Sequence, residues 1–159
     1  MGDITFGWDG PGRLVDVLKG PFTKISTPAD YGKPIFALKL WSQDGRVLVI
    51  YSEMHDLYDR EEVGVLKFSE ALSAPSGERE LSFDGGMVVV ASISKCTAAE
   101  AGYGVIDCGV VLHVTGRDDI VITAGNFPCS IAVKGIPGLT EEFDPEYPVD
   151  RYRCEPMLT

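Results

Sequence analysis

The 159-residue sequence predicts a mainly β fold: an antiparallel β-sandwich or distorted barrel of nine or more short strands, with at most one or two short helices. Three observations carry that expectation. The 18 glycines and 10 prolines are scattered, which punctuates the chain into many short elements. The apolar stretches between them are rich in Val, Ile, Phe and Tyr, side chains that fit a pleated, half-buried surface. No helical pattern reaches the roughly 12 residues at which a helix sustains itself.

The elements follow in order. Residues 4–8, 13–18 and 22–26 are weaker strand candidates. Residues 35–41 and 46–52 flank Gln43-Asp44-Gly45, and an Asp-Gly pair supplies the positive φ of a tight turn, so these two segments should pair antiparallel. Val47, Val49 and Tyr51 lie on one face of the second segment, Leu48 and Ile50 on the other. Two apolar faces suit a central strand. Segment 62–68 alternates Val63 and Val65 with Leu66 and Phe68, and 78–83 sets Leu81 and Phe83 against Glu78 and Glu80, as a half-exposed edge strand would. Asp84-Gly85-Gly86 turns into 87–93, residues 105–115 and 119–124 form a hairpin about Gly116-Arg117-Asp118, and 129–134 completes the core.

Two segments compete as short helices. One is 66–74; the other is 97–101, where Thr97 as N-cap and Glu100 three residues on would form a capping box. The tail, 136–159, holds four of the ten prolines. It should run extended along the body, anchored by Phe143, Tyr147 and Tyr152, so that 1–159 is a single domain.

Composition sets the limits on function. Acidic residues number 24 against 14 basic ones, a net charge of −10. That sign argues against nucleic acid, whose binders need clustered Lys and Arg, and against an anionic membrane. The longest apolar runs fall far short of the roughly 20 residues that span a bilayer. Cys96, Cys108, Cys129 and Cys154 contain no C-x-x-C, and MGDITFGWDG reads as no leader peptide, which together predict free thiols and a cytoplasmic location.

His113, sharing a strand face with Val111 and Thr115, reads as a partly buried imidazole with one hydrogen-bond partner. His55 lies among Glu53, Asp56, Asp59, Glu61 and Glu62, a set that a metal or general-base site would use, but no second histidine or nucleophile accompanies it. Solvated loop charges are the simpler account. The sequence lacks a G-x-S-x-G elbow, a glycine-rich phosphate cradle and an EF-hand loop, and Cys108 reads as a small core residue. No catalytic, cofactor-binding or metal-binding residue is assigned, and no cofactor is expected.

The acidic excess is concentrated in two stretches. Residues 53–62 and 141–155 hold eleven acidic and three basic residues, a net −8 of the total −10. Tyrosines stand among them, and an aromatic ring set in carboxylates suits an interface with a basic protein. The expected contact residues are Glu53, Asp56, Tyr58, Asp59, Glu61, Glu62, Glu141, Glu142, Asp144, Glu146 and Tyr147. The alternatives are a small-ligand- or metal-binding β-barrel with the 53–56 loop at its rim, and a structural subunit that self-associates through the edge at 78–83.

One resemblance bears on the choice. The stretches Asp107-Cys108-Gly109-Val110-Val111-Leu112, residues 119–128, Phe143-Asp144-Pro145-Glu146-Tyr147-Pro148 and Arg151-Tyr152 resemble the C-terminal part of small bacterial proteins. Some of those are similar to immunity proteins of toxin systems. The likeness covers about the last third of the chain and includes no motif of known chemical role, so it assigns no functional residue. It implies a compact, acidic, cytoplasmic, non-catalytic protein that neutralises a basic toxin.

Overall fold

A single left-handed residue, Gly45 at φ 91°, reverses the chain between β3 (Ala37–Ser42) and β4 (Val47–Asp56). Glycine takes that angle without a Cβ clash, so the Asp-Gly turn works through Gly45 alone. The computed structural model describes residues 5–10, 12–28, 35–57, 62–71, 78–83, 86–100, 104–139 and 143–157. Within them β3 and β4 pair antiparallel, with Leu40 opposite Leu48 and Leu38 opposite Ile50. Strand β4 has a neighbour on each side, as its two apolar faces require.

β1 (Gly7–Asp9), β2 (Phe22–Pro28), β5 (Glu62–Ala71) and β6 (Glu78–Ser82) extend this hairpin into a six-stranded sheet of order β1-β5-β4-β3-β2-β6. β7 (Val90–Glu100), β8 (Gly104–Val114), β9 (Ile120–Ala124), β10 (Ile131–Lys134) and β11 (Arg153–Pro156) form a second sheet of order β10-β9-β8-β7-β11. Both sheets keep open edges. The fold is therefore a sandwich and not a barrel, and β6 lies at an edge as its alternating pattern predicts.

Alternation builds the core. Ile25, Leu40 and Leu48 stand in register across three strands of the first sheet, and Leu38, Ile50 and Phe68 do the same one row along. They share one buried cluster with Ile93, Val110, Leu112, Ile120 and Ile122 of the second sheet. Each such side chain contributes about 1.5–3 kcal/mol on leaving water. Backbone bonds also join the layers: the Ile131 amide donates to the Ile35 carbonyl at 2.7 Å, and Phe22 and Val88 exchange bonds of 3.0 and 2.8 Å. A smaller buried cluster of Leu57, Val63, Val65, Ala98, Ile106, Cys108 and Tyr147 fills the far end of the β7–β8 hairpin.

Residues 14–18 form a helix, α1 (Leu14–Leu18), which buries Val15, Val17 and Leu18. Five residues are too few for apolar spacing to separate a helical turn from a strand. Conversely, the helix candidates at 66–74 and 97–101 are strands as far as they are described, because Ala98 pairs with Ile106 and Glu70 with Leu48. Cross-strand partners outweigh the local capping signal. β1 runs parallel to β5, a departure from the otherwise antiparallel pairing.

The cysteines also depart from expectation. Cys96 on β7 and Cys154 on β11 are directly opposite in the ladder and joined by a disulfide, whereas Cys108 and Cys129 are free. Bridging residues 58 apart removes loop entropy from the unfolded chain worth about 4 kcal/mol. Cys154 is exposed, so Cys154→Ser removes the link and little packing. Urea denaturation should show that variant, or the reduced protein, less stable by up to about 4 kcal/mol. Equal midpoints with and without reductant would show that the bond does not constrain the chain.

Candidate functional site

The two acidic stretches meet at one end of the sandwich. Register places Asp56 at the end of β4 directly opposite Glu62 at the start of β5, both exposed. Like charges facing across a ladder destabilise it by a few tenths to about 1 kcal/mol. Glu53, also exposed, is 3.9 Å from Lys67, a pairing too long and too wet to matter much.

Two residues further along β5, the Gly64 amide donates to both carboxylate oxygens of Glu146, at 2.8 and 3.2 Å. Glu146 arrives there because its own amide donates to the Ala124 carbonyl at 3.0 Å, extending the end of β9. Gly64 has to be glycine for this contact. A Cβ on it would lie 2.8 Å from the Ala124 Cβ, 2.8 Å from Ser52 Oγ and 3.1 Å from Glu146 Oε2. Burial pushes the Glu146 carboxyl above its ordinary range, and the Gly64 hydrogen bond offsets part of that shift.

The tail that delivers Glu146 is anchored by its aromatic residues. Tyr147 is only 6% exposed; its hydroxyl donates to Glu100 Oε1 at 2.7 Å, and burial and that carboxylate hold the phenol protonated. The Arg151 guanidinium lies 4.6 Å above the Tyr147 ring and donates to the Ala99 carbonyl at 2.9 Å. The Tyr152 hydroxyl accepts the Tyr147 amide at 3.1 Å, and burial raises its pKa to about 12. Beneath them burial raises the Cys108 thiol to about 12, so it is no nucleophile.

Of the residues expected at the interface, Glu53, Asp56, Glu62 and Asp144 are therefore exposed, Glu146 is partly buried, and Tyr147 faces inward. Tyr58, Asp59, Glu61, Glu141 and Glu142 lie outside the described residues. Two exposed aromatics are additions that the sequence reading did not single out. Phe127 is 54% exposed and its ring meets Phe36 edge-on at 6.0 Å. The loop that carries Phe127 is tied to the acidic end, since the Asn126 amide donates to the Asp144 carbonyl at 3.0 Å. It is tied to β4 as well, through the Cys129 amide 3.4 Å from Met54 Sδ. An aromatic inside Gly125-Asn126-Phe127-Pro128, a turn composition, was the available signal.

His55 is exposed on β4, and the described residues contain no group of three metal-ligating side chains. A cleft between α1 and the β3–β4 hairpin is lined by Asp16, Asp44, Arg46 and Glu70 among others. Its guanidinium is already engaged by Glu70 at 2.7 Å. Compared with protein-family models, curated proteins and solved structures, the chain matches none.

Two measurements check this account. Because the Glu146 carboxyl is raised, the folded protein holds that proton more tightly than the unfolded chain. Its contribution to stability is complete below the ordinary value of 4.5 and is lost as pH rises through the folded pKa. Glu146→Gln keeps an acceptor for Gly64 and does not titrate, so its melting temperature should gain on the native protein as pH rises above about 4.5. A constant offset would contradict the burial. Gly64→Ala should destabilise by about 1–3 kcal/mol in denaturant, and an unchanged midpoint would refute the close approach.

Proposed function

We propose that this chain is an acidic protein-binding domain, most specifically an immunity protein that neutralises a basic toxin. The observation that carries the reading is the Glu146–Gly64 contact, which gathers two acidic stretches beside the exposed Phe36–Phe127 pair. A tight interface needs a central aromatic anchor as well as steering charge, and Phe127 with Asp56, Glu62 and Asp144 supplies both kinds of group. The facing carboxylates of Asp56 and Glu62 are unfavourable in the isolated fold, and a cationic side chain placed between them would relieve that repulsion. Self-association through β6 is less favoured, because its edge carries Arg79 and Glu80, and charged edges resist strand addition.

The free thiols expected from the sequence would put this toxin-neutralising role in the cytoplasm. The Cys96–Cys154 bond weighs against that compartment, where thiols are kept reduced, and suits an oxidising one. Thiol trapping in intact cells decides between them.

The binding test uses the basic protein encoded by the adjacent reading frame. Interferometry should give submicromolar affinity at low salt, with an association rate that falls as salt rises. Phe127→Ala should weaken binding by about 2 kcal/mol or more, mainly through faster dissociation, and Asp56→Lys with Glu62→Lys should slow association. No detectable binding at micromolar concentration in low salt would reject the proposal.

A further inference from the structure

On the outer face of the second sheet, polar side chains from two adjacent strands and from the turn before a third form one chain of hydrogen bonds. Ser94 on β7 places Oγ 2.8 Å from Nε2 of His113 on β8. Nδ1 of the same ring is 2.9 Å from Oδ2 of Asp119, the residue before β9. His113 thus has two side-chain partners where the sequence alone suggests one. Register explains the meeting: Ser94 is opposite Val111, so His113 is its diagonal neighbour on the same face, and Leu112 opposite Ile120 brings Asp119 alongside His113.

The partners determine the proton positions. A carboxylate only accepts, so Nδ1 carries the hydrogen toward Asp119. Nε2 of the neutral ring is then an acceptor, and the Ser94 hydroxyl must donate to it. That is the protonation state in which an imidazole can remove a serine proton, with the carboxylate fixing the tautomer and stabilising the imidazolium that forms.

We propose that Ser94, His113 and Asp119 are a nucleophile, a general base and a positioning residue for acyl transfer from activated carboxylic esters. Ser94 Oγ adds to the ester carbonyl carbon while its proton passes to His113 Nε2. The bond to the leaving oxygen breaks as His113 returns that proton, releasing the alcohol or phenol and leaving an acyl-serine. Water, deprotonated by the same ring, then releases the carboxylic acid and restores Ser94. Ser94 is 8% exposed, so only a narrow approach reaches it. Its row on the sheet runs from Pro156 through Ser94 to Val111 and Val121, an apolar flank that fits a short acyl chain. An aryl ester suits the site best, since its leaving group needs little assistance beyond the protonated ring.

The test is covalent labelling with a fluorophosphonate, which transfers its phosphonyl group to an activated serine with loss of fluoride, together with turnover of p-nitrophenyl acetate. Intact mass and peptide mapping should place the label on Ser94, and Ser94→Ala should abolish both label and turnover. His113→Gln and Asp119→Asn should slow labelling by about 10²-fold, the usual scale of general base assistance, and Asp119→Glu should recover part of it. Asp119 is exposed, so its variants keep the fold testable if Ser94→Ala does not, with melting curves as the control. Absence of labelling overturns the proposal. So does labelling unchanged in Ser94→Ala, or rates that Asp119→Asn and Asp119→Glu affect equally.

Discussion

Gly64 is where three parts of this protein come within van der Waals reach. Its own strand and Ser52 belong to the first sheet, Ala124 to the second, and Glu146 to the C-terminal tail. With no Cβ between them, the two sheets close at this end and the tail can set a carboxylate on the Gly64 amide. The rest follows from that approach. The end of β9 continues into the segment bearing Glu146, which positions Tyr147 over the small core and brings Arg151 and Tyr152 after it. A side chain here would separate all of these together.

The charge that gathers at this end works against the fold that carries it. Asp56 faces Glu62, and Glu146 is partly buried, its hydrogen bond from the Gly64 amide offsetting only part of the cost of burial. A carboxylate drawn partly out of water in this way is ordinarily a liability. Residues that weaken a structure locally while fitting together as a surface are best understood through what they meet, and acidic groups around exposed aromatics meet cationic protein most favourably. The outer face of the second sheet is built differently. Its polar groups satisfy one another across neighbouring strands.

What the sequence revealed follows the range of each signal. The Asp-Gly turn, the double-faced pattern of β4 and the half-charged pattern of β6 are local, and each element was legible with its neighbours. Segment 97–100 shows the limit: its local capping signal is real, and pairing with residues 104–107 overrides it. α1 was too short for its period to register. The disulfide depends on which residues of β7 and β11 face each other, a register set by the whole sheet. In the candidate site the acidic stretches, the anchoring of the tail by Tyr147 and the turn around Phe127 could be read, but the Glu146–Gly64 contact and the packing of Phe127 on Phe36 could not, because an irregular tail and a turn have no period to reveal a face. Ser94, His113 and Asp119 are 19 and 6 residues apart and meet only once three strands are in register.

The Cys96–Cys154 bond also determines how the molecule would bear load. It closes a covalent loop that contains β8, β9 and β10, with β11 at its boundary. A pull on the C-terminus passes from Cys154 straight to Cys96 and bypasses everything in between. Those strands would stay slack and folded against each other while force travelled down β7 into the first sheet, whose N-terminal elements lie on the open path. Drawn through a narrow pore from that end, the chain would have to enter three segments abreast, the two arms of the loop and the N-terminal arm of Cys96, until a reductant opened the loop.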